Sequence, residues 1–151
     1  MRASLAVAAL FAPPLLAACG SGLDPARDLT GTWIGTSPNG AIYQDNVANP
    51  NCRYEADLRL VLVQDGSSLT GSLRLTVRES EKLLSTSVPC IPVGTQSTQG
   101  LFGEVGSSRT NWTLVDGVTV FSGTFTSDIL SGDFVVNATN GVIGTFTVRR
   151  E

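Results

Sequence analysis

Residues 54–78 read YEADLRLVLVQDGSSLTGSLRLTVR, and this stretch decides the fold class. Apolar residues fall on alternate positions, at 56, 58, 60 and 62 and again at 69, 73, 75 and 77. Charged or hydroxyl-bearing residues occupy most of the positions between them. A period of two is typical of a strand with one buried face, and Asp65-Gly66 is a turn sequence. Residues 54–78 therefore predict a long β-hairpin with one face in water.

Similar short alternating segments follow one another through the rest of the chain from residue 29 onwards, without any apolar stripe of helical period. Turn sequences such as Asp116-Gly117 and Ser127-Asp128 are short enough to join antiparallel neighbours directly. The sequence predicts an all-β domain, an up-and-down antiparallel meander of eight strands, with residues 83–88 as a candidate ninth. The predicted strands are 30–36, 54–64, 69–78, 100–105, 109–115, 118–126, 130–138 and 142–150.

A glycine followed two positions later by a large apolar residue recurs at Gly31, Gly71, Gly123, Gly132 and Gly144. Residues two apart on a strand share a face, so each glycine lies beside a large side chain on the inner face. Glycine inside a strand permits the sheet to bend, and an aromatic ring over it recovers buried area. Unless these glycines belong to turns, the repeat predicts that the meander closes into a small β-barrel of eight to ten strands.

The first 28 residues differ in composition from the rest. Arg2 is followed by an apolar stretch over residues 5–16 and then by small residues, which is typical of a secretory signal. The stretch is shorter than the roughly 20 residues that a membrane-spanning helix needs. We expect a signal peptide over residues 1–18, a tether over 19–28 and the β-barrel domain over 29–151.

The sequence LAAC at residues 16–19 resembles the lipobox of bacterial lipoproteins. The resemblance implies cleavage before Cys19 and a diacylglycerol on its thiol, which would anchor the chain to a membrane. Gly20 stands where inner-membrane retention signals have Asp, so we expect the outer membrane of a bacterial envelope, with the domain facing the periplasm or the cell surface. The alternative is an ordinary secretory signal in which the cysteine follows by coincidence.

Cys52 and Cys90 remain once Cys19 is assigned to the lipid, and an even number of cysteines in an exported chain predicts a disulfide. A redox or metal pair lacks both a C-x-x-C spacing and further ligands. In an eight-stranded meander the first and third connections lie at the same end, opposite both termini. These are the long connections that carry the two cysteines, so the disulfide is expected to join them.

Gly31-Thr32-Trp33 at the start of the first strand, together with an arginine at the end of the last, resembles the signature of lipocalin and calycin barrels. The resemblance implies that Trp33 plugs the closed end of the barrel and that Arg150 packs across it. Arg150 is favoured over Arg149 because it alternates in phase with Phe146 and Val148.

No constellation of residues predicts catalysis. The 151 residues include no histidine, and the net charge is −3, with no run of Lys or Arg. These facts disfavour His-dependent catalysis, imidazole metal sites and nucleic-acid partners. On the outer face of the hairpin, mutual ion pairing explains the charges better than a binding patch. These charges are Arg53, Arg59, Arg74 and Arg78 beside Glu55 and Asp57. We expect a non-catalytic protein without cofactor or metal.

Two functions are compatible with a membrane-anchored, non-catalytic β-barrel. In the first, a membrane-anchored, lipocalin-like barrel binds a small apolar ligand or serves a structural role in the envelope. Its candidate lining residues, which would equally form a packed core, are Leu58, Leu60, Leu73, Leu75, Phe121, Phe125, Phe134 and Phe146. In the second, the two loops joined by the disulfide dock on an unknown protein as an interaction module or inhibitor. In size, anchor and single disulfide the chain resembles lipid-anchored barrels that inhibit host lysozymes or proteases. Candidate exposed loop residues are Ile42, Tyr43, Val47, Ile91 and Val93.

Overall fold

The protein is an all-β structure, seen in a computed structural model that describes residues 28–45, 50–85, 87–106, 111–136 and 141–151. The predicted signal peptide, Cys19 and the tether up to residue 27 lie outside these residues. The strands within them are β1 (Gly31–Gly35), β2 (Ala41–Gln44), β3 (Cys52–Asp65), β4 (Ser68–Lys82), β5 (Gln96–Val105), β6 (Asn111–Val115), β7 (Thr119–Phe125), β8 (Ile129–Val136) and β9 (Ile143–Arg150).

The strands close into an antiparallel barrel, as predicted from the sequence. From β3 to β9 each strand pairs with the next along the chain. Both β1 and β2 pair with β3 on one side and with β9 on the other, which closes the circle. Because β1 and β2 follow one another along the same two neighbours, they form a single barrel strand interrupted at residues 36–40. The barrel therefore has eight positions filled by nine strands.

The interruption is the main difference from the prediction. The sequence predicts a single connection over residues 37–53, whereas residues 41–44 form β2. The alternation of Ala41 and Tyr43 is too short to stand out, and it is fixed by the pairing of these residues with Ala56 and Tyr54 across β3. The candidate ninth strand at 83–88 is wrong: residues 83–85 and 87–88, the part of it that the structure describes, are not in a strand.

Glycines allow the strands to approach closely where the barrel coils, as the repeated motif predicted. Gly123 and Gly132 face each other across β7 and β8, and a Cβ on either would lie 2.0 Å from a carbonyl oxygen of the opposite strand. At Gly144 the inner face is covered by the ring of Phe134, whose Cζ would lie 2.5 Å from an added Cβ. The aromatic ring thus occupies the volume that a side chain at 144 would take.

The two ends of the barrel differ. The start of the described chain at residue 28, the C-terminal residue Glu151 and the turns after β3 and β7 lie at one end, which we call the closed end. The connections between β2 and β3 and between β4 and β5 lie at the other, which we call the loop end. β3 and β4 are the longest strands, with 14 and 15 residues, and they extend farthest toward the loop end. Their extension carries the disulfide.

Candidate functional site

The closed end is sealed by an aromatic residue and a cation. Trp33 is fully buried, and its Nε1 donates a hydrogen bond to the Leu29 carbonyl at 2.9 Å. The guanidinium carbon of Arg150 lies 4.4 Å from the centroid of the Trp33 ring. The same guanidinium donates to the carbonyls of Asp28, Thr30 and Ser127, the last two at 2.7 and 3.2 Å. Trp33 and Arg150 therefore lie together, as the lipocalin resemblance implied.

The residues considered as ligand-lining lie inside the barrel and pack against one another. Leu58, Leu60, Leu73, Phe121, Phe125, Phe134 and Phe146 are buried, and Leu75 is partly buried against the same core. The rings of Phe121 and Phe134 are stacked with centroids 5.4 Å apart, and Phe146 lies within 6.4 Å of both. These side chains thus pack against one another inside the barrel, with the rings at distances typical of aromatic clusters.

At the loop end a small polar network ties two connections together. Asp45 Oδ1 accepts hydrogen bonds from the backbone N–H groups of Asn51 and Cys52 at 2.9 and 2.8 Å. Its other oxygen accepts a bond from the Tyr54 hydroxyl at 3.4 Å, and that hydroxyl in turn accepts one from the Ile91 N–H at 3.2 Å. The roles of Asp45 and Tyr54 were not predicted, because no sequence pattern places Ile91, 37 residues along the chain, beside the Tyr54 hydroxyl.

The two tyrosines beneath this network are stacked and weakly acidic. The rings of Tyr43 and Tyr54 lie 4.8 Å apart. Burial, reinforced by the charge of Tyr54, raises the pKa of Tyr43 to about 12. Burial also raises the pKa of Tyr54 above its ordinary value of 10.0, with Asp45 adding to the effect and the bond from Ile91 opposing it. Both phenols are therefore neutral at physiological pH. Their rings pack together inside the barrel, and the Tyr54 hydroxyl holds the loop through Ile91.

The predicted disulfide joins Cys52 to Cys90, with their Cα atoms 5.8 Å apart. Cys52 is buried at the start of β3, whereas Cys90 belongs to the connection over residues 83–95, of which all but residue 86 are described. We call this connection the stapled loop. The disulfide pins its middle to the barrel wall.

The stapled loop presents apolar side chains to solvent. Five of its large apolar side chains are 38% to 62% exposed: Leu83, Leu84, Val88, Ile91 and Val93. Of the loop residues that the sequence proposed as exposed, Ile91 and Val93 are among these, and Val47 lies outside the described residues. Tyr43 was wrongly included, because it points into the barrel from β2 and is 7% exposed. Ile42 alternates with it and lies half-buried on the outer wall.

A second apolar surface runs across the outer wall of five neighbouring strands. Each of its members is the direct cross-strand partner of the next: Phe102, Val115, Val120, Val135 and Ile143. Four of them are at least 40% exposed, and Val115 is half-buried. The sequence pattern gave no sign of this row, because it depends on the register of four strand pairs.

The sequence predicts that the four arginines of the β3–β4 hairpin pair with carboxylates. Only two of them do so in the structure. Arg53 lies 3.5 Å from Glu55 and 3.8 Å from Glu81, and Arg78 donates to Asp57 at 2.6 Å. Arg74 instead donates to the Gln96 side chain at 2.9 Å. Arg59 has no ion pair with any described residue and lies directly opposite Arg74. Mutual pairing therefore accounts for two of the four.

Three cavities bounded by described residues lie on the outer wall. One of 440 Å³ opens at the interruption between β1 and β2, beside Ile34, Ile42 and Arg149. One of 210 Å³ adjoins it and is lined by three of the arginines. A third, of 490 Å³, lies beside Phe102 and Val115. In the described part of the chain, no three Cys, Asp or Glu side chains are grouped to hold a metal ion. Within the same residues there is no helix long and apolar enough to cross a membrane.

Comparison of the chain with protein-family models, curated proteins and solved structures returned no match.

Proposed function

We propose that the protein is a non-catalytic interaction module, tethered by a lipid on Cys19 to the outer membrane of a bacterial envelope, which presents its stapled loop to a protein partner. One observation carries the proposal: five large apolar side chains are exposed on a loop that a disulfide pins to the barrel. Clustered exposed apolar residues are typical of sites that bind another macromolecule.

The contacts of the stapled loop favour binding because they hold its backbone in place before a partner arrives. Near its end, Gly94 donates to the Val77 carbonyl at 2.8 Å, and Val77 donates to Thr95 at 3.0 Å. At its start, Leu83 donates to the Asn51 carbonyl at 2.7 Å. A loop that is already ordered loses less conformational entropy on binding than a free one does.

The position of the loop also suits an anchored module. The closed end holds the start of the described chain, so a lipid on Cys19 would place that end toward the membrane. β4 has 15 residues, which at about 3.3 Å per residue and a barrel tilt of about 40° reach roughly 40 Å along the barrel. The stapled loop would then face away from the bilayer.

A carrier of small apolar ligands is a weaker proposal, because pockets that bind such ligands usually have at least about 300 Å³ of space. The buried leucines and phenylalanines inside this barrel contact one another instead. If the protein is a carrier, native mass spectrometry of the protein isolated from its host should detect a bound small apolar ligand.

Photo-crosslinking in the host tests the interaction surface. A photoreactive residue at position 93 is expected to capture a discrete protein partner, whereas the same residue at position 63 should not. Val63 is a matched control because it is similarly exposed, 54% against 62%, but lies at the closed-end half of β3. Ile91→Asp should abolish the product from position 93. Equal products at both positions, or a product that survives Ile91→Asp, would overturn the proposal.

The anchor requires a separate test. Cys19→Ser should move the protein from the membrane fraction to the soluble fraction and remove the mass of the acyl chains. An unchanged membrane fraction with no acyl mass in the wild type would contradict lipidation without bearing on the stapled loop.

A further inference from the structure

The outer wall of the β3–β4 hairpin contains two cations that face each other without an acid between them. Arg59 and Arg74 are direct cross-strand partners, which places their Cβ atoms about 5 Å apart. Like charges in this position destabilise a sheet unless something neutralises them. Arg74 is held by Gln96, and Arg59 has no ion pair or side-chain hydrogen bond with the described residues.

The nearest carboxylate is already engaged. Asp57 Oδ1 accepts a hydrogen bond from the Ser37 N–H at 2.9 Å, and Oδ2 accepts one from Arg78 at 2.6 Å. Burial alone would raise the pKa of Asp57, but these two bonds and the charge of Arg78 hold it below the ordinary 3.8. Asp57 therefore balances Arg78 and leaves the charges of Arg59 and Arg74 uncompensated.

A cavity of 210 Å³ lies between these groups, lined by Arg59, Arg74, Arg78 and Thr76, with Asp57 in the same wall. Thr76 adds a hydroxyl group to the lining of the cavity. It lies on the outer face of β4 opposite Asp57, yet it is only 8% exposed. Its hydroxyl makes no hydrogen bond with the described residues and stays open to solvent, so it can donate to a molecule in the cavity.

We propose that this cavity, which we call the arginine groove, binds the phosphoryl group of a phosphate ester. Two guanidinium groups and one hydroxyl offer more donors than the two oxygens of a carboxylate accept comfortably, whereas a phosphoryl group presents three oxygens. Arginine is suited to this role because its planar fork donates two parallel bonds to one anion. The site is independent of the stapled loop.

The rest of the ligand has room next to the groove. The 440 Å³ cavity at the interruption between β1 and β2 shares Ile34 and Thr36 with the arginine groove. Ile42, Phe146 and Arg149 line it as well. The same phosphoryl chemistry is offered by a phospholipid headgroup and by a soluble phosphate ester. The lining mixes apolar side chains with threonines, Asn39 and Arg149, so either source has room there.

Isothermal titration of the purified protein tests the groove, with inorganic phosphate, glycerol phosphate and dihexanoyl phosphatidic acid below its micellar concentration as probes. Arg59→Gln and Arg74→Gln are each expected to weaken binding at least about tenfold, which corresponds to the loss of one charge-assisted bond. Thr76→Val should weaken it severalfold with little change in the melting temperature. Arg53→Gln is the matched control, because Arg53 lies on the same hairpin but pairs with Glu55 and Glu81 outside the groove.

The outcomes separate the possibilities. Binding of any probe that is lost in Arg59→Gln and kept in Arg53→Gln supports the proposal, and the tighter of glycerol phosphate and phosphatidic acid identifies the source of the phosphoryl group. Equal binding by all variants, or none at matched ionic strength, overturns it. Arg59→Gln should also raise the melting temperature in dilute chloride and lower it, relative to wild type, in phosphate; a fall in both buffers would mean that Arg59 is structural.

Discussion

The guanidinium of Arg150 stacks over the ring of Trp33, 4.4 Å from its centroid, and joins the last strand of the barrel to the first. β1 and β9 share a direct register only at Trp33–Arg150 and Ile34–Arg149. The side chain of Arg150 adds to this short seam by donating to three backbone carbonyls, two of which, those of Asp28 and Thr30, lie on the segment that enters the barrel. Arg150 thus holds the closed end of the barrel through both a cation–π contact and hydrogen bonds to the backbone.

Arg150→Ala should therefore destabilise the barrel by about 2–4 kcal/mol. The change removes a cation–π contact and several charge-assisted hydrogen bonds that hold the closed end. Urea denaturation followed by tryptophan fluorescence measures the loss. Arg149→Ala is the control, since that side chain lies on the outer face and should change the free energy of unfolding by less than about 0.5 kcal/mol. Comparable losses in the two variants would contradict the role assigned to Arg150.

Cys52→Ala should lower the stability of the oxidised protein by about 4 kcal/mol, because the disulfide closes a loop of 38 residues in the unfolded chain. With a reducing agent present, the variant and the wild type should unfold at nearly the same urea concentration. Cys90→Ala is the companion variant. It removes the same disulfide but keeps the buried Cys52 side chain, so it should show nearly the same loss without a cavity at position 52. A full loss that persists under reduction would show that packing at Cys52, rather than the disulfide, stabilises the loop end.

Alkaline titration should reveal the buried tyrosines. Since the pKa of Tyr43 is raised from 10.0 to about 12 in the folded state, its contribution to stability is complete below pH 10 and is lost as the pH rises toward 12. The slope is at most about 1.4 kcal/mol per pH unit from this group. Tyr43→Phe should flatten that slope without loss at pH 7. Tyr54→Phe should destabilise at every pH, because it breaks the bonds to Asp45 and Ile91. Ordinary titration of both phenols near pH 10, followed at 295 nm, would contradict the burial of Tyr43.

Sequence patterns that span a few neighbouring residues predicted the hairpin, the closure of the barrel and the position of Arg150. The alternation at residues 54–78 gave the hairpin, the glycine and aromatic repeat gave closure, and the phase of Arg150 with Val148 distinguished it from Arg149. β2 was missed because four residues carry too little periodicity, and only their pairing with β3 and β9 makes them a strand.

The arginine groove was missed for a different reason. The pairing of Arg59 with Arg74 follows from the register of the Asp65–Ser68 turn, but the sequence analysis assigned the residues to a face without a register. A register shift at Glu55 and Ala56 leaves Arg78 unpaired in the ladder, and its side chain bonds Asp57. Bulges of this kind redirect single side chains and are not visible in an alternating pattern. The position of a charge relative to its cross-strand neighbours therefore required the structure.

Gly144→Ala should destabilise the barrel by about 1–3 kcal/mol, although glycine to alanine in a strand usually stabilises. The added Cβ would lie 2.5 Å from Phe134 Cζ and 2.6 Å from Tyr43 Cβ, and neither can move far inside the aromatic cluster. Gly100→Ala is the matched control, because no atom lies within 4 Å of its added Cβ, and it should be neutral or stabilising by up to about 1 kcal/mol. Phe134→Leu introduced with Gly144→Ala should recover part of the loss, since it removes the ring that the methyl group meets. Urea denaturation of the wild type, Gly144→Ala, Phe134→Leu and the double variant gives this coupling directly. Additive losses would mean that the ring does not rest on Gly144, and that closure of the barrel does not depend on this contact.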